Sequence, residues 1–296
     1  MNEKSSKKFG GQWSDEKLDA LRDYLTSYAQ ALSKASFERI YIDAFAGAGT
    51  VEAAPSEPTE TWFDEELAAE DAGYRHGSPL IALGIEPSFH RFIFIERDTA
   101  SIASLRQQVA EAFPAKLENA TFLQVEANEA LQSITRKGNW KSQRAVAFLD
   151  PFALHVKWET IEAIARTQAI DMWLLFPAMA VNRMLPRNGV VPKQWADKLS
   201  ETFGSKEWES CFYERQSDMF GEETISKQPK IFDKLSEFIT MRLNTVFAGA
   251  NKKPLILRNS TGAPLFLLCF ACGNPKGAPI ALRIANHIIN RKNHGH

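Results

Sequence analysis

The chain predicts an α/β fold: a Rossmann-like, doubly wound architecture with a mostly parallel sheet. Three observations carry this. From about residue 78 to 176, short apolar runs alternate with helical stretches. That is the pattern of a parallel sheet with helices on both faces. The first apolar run ends in Asp43, and a turn holding Gly47 and Gly49 follows. Three later runs also stop at a carboxylate: Glu96, Glu126 and Asp150. In such sheets ligands bind beyond the carboxyl ends of the strands.

The elements follow in order. Residues 12–36 read as an N-terminal helix. Ser14 is its expected cap, and an amphipathic pattern opens at Lys17 and runs through Leu18, Leu21, Leu25 and Tyr28. The first strand is expected at 38–43. Residues 51–74 then hold eight acids, two prolines and no Lys or Arg. They predict an acidic insertion or lid over 50–76, after the first strand. Ser78-Pro79 opens a helix to about Glu86, since proline is tolerated in a first turn. Strands are expected at 92–95, 121–125, 145–149 and 170–176. Helices are expected at 98–112, 127–136 and 158–166. A Trp-rich helical insertion spans 180–250. Strands at 254–258 and 264–271 close one edge of the sheet, an antiparallel pairing being open there, and a last helix covers 278–291. The whole of 1–296 reads as one domain.

Composition narrows the function. The chain has 296 residues, 44% apolar and 24% charged, with a net charge of −1. That balance predicts no strong attraction to nucleic acid or to acidic membranes. No apolar stretch approaches the roughly 20 residues that span a bilayer. Met1 to Gly11 is polar and lysine-rich, so no secretory leader is expected. Cys211, Cys269 and Cys272 cannot form a disulfide framework, and cytoplasmic residence is the expectation. Cys269 and Cys272 have CxxC spacing but lie in an apolar run. In a strand they would face opposite sides, as buried structural cysteines. No histidine shows metal-ligand spacing, and no metal site is expected. His155, close after Asp150, is a candidate acid/base.

Each strand-end acid has a job if the ligand is S-adenosylmethionine. Asp43, beside the Gly47/Gly49 turn, can attract the ammonium of the methionine moiety. Glu96 can accept both ribose hydroxyls. Glu126 and Asn128 can accept from the adenine amino group. A diphosphate fits poorly. Glu52 stands where dinucleotide loops place a third glycine, and acidic sequence follows. Asp43 and Glu96 are 53 residues apart, and removing the 27 residues 50–76 leaves 26, close to the spacing expected of a ribose-binding acid. Asp150-Pro151-Phe152 is the candidate reaction turn. Asp150 can orient the acceptor or take its proton. Phe152 can stabilise a methyl-sulfonium through cation–π contact. The bland alternative is that such acids cap the helices that follow them.

Several segments together resemble a known family. They are Tyr41 to Gly49, Gly77-Ser78-Pro79-Leu80, Phe92 to Asp98, Glu126 to Glu129 and Phe148 to Phe152. With the Trp13-Ser14…Lys17-Leu18 opening and the Leu265 to Gly277 close, they look like the bacterial three-Cys-motif partner proteins. That family is similar to class I S-adenosylmethionine-dependent methyltransferases. The resemblance implies that fold and that cofactor, with Phe45, Ala46 and Ser78 joining the cofactor set. It also implies a three-Cys-motif protein, encoded nearby, as partner. Family members often carry Asp where this chain has Glu126, and Gly where it has Ala153. Two other readings stay open. One is a catalytically silent partner module of a mobile-element or phage-defence system. The other is a nucleic-acid methyltransferase, which the net charge and acidic segment disfavour.

Overall fold

Strand β1 (Glu38–Asp43) sits near the middle of a twisted sheet, flanked by parallel neighbours on both sides. The computed structural model describes residues 12–49, 77–151, 153–217 and 223–293. The acidic segment 50–76 and Phe152 lie outside these residues. The strand order is β3-β2-β1-β4-β5-β10-β8. The other strands are β2 (Arg91–Ile95), β3 (Ala120–Leu123), β4 (Gln143–Leu149) and β5 (Ile170–Phe176), then β8 (Gly249–Ala250), β9 (Leu255–Arg258) and β10 (Pro264–Cys272). Strands β1 to β5 pair in parallel. Their order is the 3-2-1-4-5 of a Rossmann sheet. Strand β10 then runs antiparallel to β5, and β8 and β9 pair antiparallel with β10. The fold is therefore the Rossmann-like α/β class expected, with the closing edge antiparallel.

Side-chain alternation divides the core in two. Ile40, Ile42, Ile93, Ile95, Ala147, Leu149 and Leu174 pack on one face. Tyr41, Phe92, Phe94, Val146, Phe148, Trp173 and Leu175 pack on the other. The period of two is the pleat itself. Every residue of β5 is buried, as expected of a strand covered on both sides. Cys269 and Cys272 fall on opposite faces, and burial pushes both thiols up.

Helices α1 (Gln12–Ala31), α2 (Ser78–Leu83), α3 (Thr99–Ala112) and α10 (Ala278–Asn293) cover the Tyr41 face. Helix α1 is fixed there at several points. The Tyr24 hydroxyl donates to Asp171 at 2.7 Å, the Trp13 and Phe266 rings lie 5.0 Å apart, and Arg291 pairs with Asp23. Helices α4 (Ala127–Lys137) and α5 (Trp158–Arg166) cover the Ile42 face, with α9 (Ile231–Val246).

The 180–250 region differs from expectation. Between α8 (Trp208–Phe212) and α9 it holds a hairpin, β6 (Tyr213–Ser217) with β7 (Glu223–Lys227). The helices before it are α6 (Ala178–Arg183) and α7 (Lys193–Phe203). The β6 side chains after Tyr213 are exposed, so no apolar alternation marks the strand. Ser14 is also not a cap. Helix α1 already includes it, and its hydroxyl is buried with no partner among the described residues. No helix among the described residues is long and apolar enough to cross a membrane.

Candidate active site

The turn after β1 is stitched to both neighbouring strands. The Ala44 amide donates to the Phe148 carbonyl at 3.0 Å, and the Ala46 amide to the Ile95 carbonyl at 2.9 Å. Gly47 and Gly49 have φ of +63° and +81°, a left-handed conformation that favours glycine. A Cβ on Gly49 would come within 2.9 Å of Gln108 and 3.0 Å of Leu105. Helix α3 thus presses against the turn, and the Gln108 amide donates to the Ala48 carbonyl at 2.8 Å. Glu96 braces the same turn. One of its oxygens accepts the Gly47 amide and the other the Asp98 amide, both at 2.9 Å. Phe45 is half-buried and Ala46 buried at the base of this loop.

Asp43 is fully buried on the Tyr41 face. The Tyr41 hydroxyl, two residues earlier and on the same side of the strand, donates to its Oδ2 at 2.9 Å. Burial pushes the Asp43 carboxyl up to about 7. Hydrogen bonds from Ser78 and Tyr41 oppose the rise, and the charge of Asp150 adds to it. Among the described residues the other oxygen, Oδ1, is buried with no hydrogen-bond partner.

Register explains why Asp150 belongs to this cluster. Asp43 lies opposite Phe148 in the β1–β4 ladder. Asp150, two residues on, continues the Phe148 side. Helix α1 covers that side, and it delivers a residue whose role the sequence reading missed. The Lys17 ammonium, itself buried, bonds to Asp150 Oδ2 at 2.6 Å. The only sequence signal was a lysine at the head of an apolar helical stripe. Pro151 is buried beside Asp150, and with Leu154, Phe176, Thr202 and Ile239 it lines a narrow apolar crevice.

The remaining residues divide differently. Glu126 lies beyond the end of β3 and is exposed. It caps α4, accepting the Glu129 amide at 3.0 Å, so the capping role weighed above applies to it. Hydrogen bonds from Asn128 and Glu129 hold its carboxyl below the ordinary value against partial burial. The Asn128 amide is committed to structure. Its Nδ2 donates to Glu126 and to the His155 carbonyl, and its Oδ1 accepts from the Lys157 amide and the Thr160 hydroxyl. It clamps the α4 start to the loop after β4. His155 is exposed in that loop.

Asp43, Ser78 and Asp150 therefore lie together, and Glu96 braces the Gly47–Gly49 turn beside Asp43.

No protein-family model matches the chain, and no curated protein matches it. Solved structures do. A Legionella pneumophila protein is 13% identical over 95% of this chain and 92% of its own, with a TM-score of 0.47. Trm1 from Pyrococcus horikoshii, in complex with S-adenosyl-L-methionine, is 9% identical over 88% of this chain and 57% of its own, with a TM-score of 0.45. The methyltransferase domain of a bacterial CtHen1-C is 8% identical over 86% of this chain and 99% of its own, with a TM-score of 0.36.

Proposed function

We propose that this chain is an S-adenosylmethionine-dependent methyltransferase. The observation that carries the reading is Asp43: a fully buried carboxylate, one of whose oxygens has no partner among the described residues, beside a left-handed glycine turn. A buried carboxylate with one oxygen left unsatisfied is costly to ionise, and a cation that meets it offsets the cost. The ammonium of the methionine moiety is such a cation. Glu96 uses each oxygen for one backbone amide, which leaves lone pairs for two ribose hydroxyls. Glu126 is the group left to address the adenine amino group, because the Asn128 amide is already spent. Gly47 and Gly49 let the backbone approach the ligand, and Phe45, Ala46 and Ser78 line its methionine end.

When bound, the cofactor supplies an electrophilic methyl group. The chain's own task is alignment, because methyl transfer is an in-line displacement. Asp150 and Pro151 form the acceptor end, with Phe152 assigned there from sequence. The Asp150 carboxylate orients a nitrogen or oxygen nucleophile and receives its hydrogen bond. The finer reading is a methyltransferase of the three-Cys-motif partner type, working with a three-Cys-motif protein. It is supported by the segments quoted above, and co-purification with that protein would check it.

The test is mass spectrometry of candidate acceptors incubated with methyl-labelled S-adenosylmethionine. Wild type should transfer the label, and Asp150→Ala should slow transfer by roughly 10²-fold or more. Cofactor binding without transfer to any acceptor would favour the silent-partner reading instead.

A further inference from the structure

We propose that Lys17 is a positioning residue, whose ammonium holds the Asp150 carboxylate in place at the acceptor end of the proposed site. The inference rests on the methyltransferase reading and extends it from the sheet to helix α1. The ion pair spans 133 residues of chain and measures 2.6 Å. Its two halves differ in exposure: the Lys17 side chain is 1% exposed and that of Asp150 20%. The carboxylate, not the ammonium, is thus the half that a ligand can reach.

Stability alone does not account for the pair. Well-packed apolar side chains usually serve a buried position at least as well as an ion pair does. A lysine withdrawn from water onto the acceptor carboxylate has a different consequence. It fixes the direction of that carboxylate and offsets its charge. Lys17 is itself held. The Trp13 ring lies 5.1 Å from its ammonium, and α1 is anchored through Tyr24 to Asp171.

The offset matters because a second carboxylate is close. The groups facing Asp43 are Tyr41 on its own strand, Ser78 on α2 and Asp150 beyond β4, and Lys17 of α1 reaches Asp150. Without Lys17 the negative charge of Asp150 would bear on Asp43 uncompensated. It would then resist the ionisation that binds the cofactor's ammonium.

The experiment is calorimetry of S-adenosylmethionine binding across pH 5.5–8.5, a range of about one to two units on either side of the Asp43 value. The proteins are wild type, Lys17→Met, Lys17→Arg, Asp150→Asn and the Lys17→Met/Asp150→Asn double variant. Lys17→Met should move the midpoint of the pH dependence up by about one unit. Lys17→Arg should restore it, and Asp150→Asn should move it down. In the double variant the midpoint should match that of Asp150→Asn, because Lys17 acts through Asp150. That comparison decides the matter even if Lys17→Met alone does not fold. A purely structural lysine would lower thermal stability and leave every midpoint in place. Unmoved midpoints, or a double variant differing from Asp150→Asn, would overturn the proposal. Failure of wild type to bind at any pH would instead remove the methyltransferase reading beneath it.

Discussion

Asp43 is held in the folded chain at a cost that depends on pH. Its carboxyl is raised from the ordinary value of 3.8 to about 7. Below pH 4 both folded and unfolded chains carry the proton, and the group contributes nothing. Between about pH 4 and 7 the unfolded chain loses the proton while the folded chain keeps it, so stability falls as pH rises. Above 7 both are ionised and the loss is constant, on the order of 4 kcal/mol. Denaturant unfolding of wild type and Asp43→Asn across that range should show a difference that grows up to pH 7 and then levels off. A constant difference would contradict the buried, raised acid. Ligand binding has the opposite sign. A cation is met best by the ionised acid, so affinity for S-adenosylmethionine should rise as pH passes through about 7, and Asp43→Asn should abolish that dependence.

The loops after the strands show which features a sequence can announce. Asp43, Glu96 and Asp150 were legible because each ends an apolar run and so sits at a strand's carboxyl end. The alternating pleat then sets Asp43 and Asp150 on one face. Glu126 carries the same local signature yet caps α4, because β3 stops at Leu123 and leaves room for a helix start. Lys17 was read only as the head of an amphipathic stripe. Its partner is 133 residues away, and no local pattern encodes a contact across the sheet. The hairpin β6–β7 was missed since its exposed side chains show no apolar alternation.

Two substitutions test the packing of these loops. Gly49→Ala demands a left-handed alanine pressed onto Gln108 and Leu105, and should cost about 1–2 kcal/mol in denaturant unfolding. Asn128→Ala strips partners from the Lys157 amide and the Thr160 hydroxyl. It should destabilise by about 1–3 kcal/mol without changing the pH midpoint of cofactor binding. A shift in that midpoint would give Asn128 a role beyond the clamp.

The molecule as a whole is a sheet with a different job on each face. The Ile42 face packs Phe203, Trp208, Phe212 and Phe238 of the 180–250 region, which is core rather than a base-stacking surface. The Tyr41 face carries α1 and, at its carboxyl edge, the cluster Lys17, Tyr41, Asp43, Ser78 and Asp150. The mostly parallel, doubly wound class was readable from alternating runs, whereas the antiparallel direction of the closing edge was left open by them. The unequal division of labour was not, because it depends on which helix covers which face. Trp208 is buried away from the cluster, so Trp208→Ala should lower stability by about 3–5 kcal/mol and leave the cofactor's pH midpoint unmoved.

Isothermal calorimetry of the wild-type chain near pH 7.5 with S-adenosylmethionine, and with its demethylated product, weighs the assignment of the strand-end acids to that cofactor most directly. Saturable one-to-one binding of both ligands, lost in Asp43→Ala and Glu96→Ala variants that remain folded, is the predicted result. A folded wild-type chain that binds neither, or variants that bind as wild type does, would contradict it.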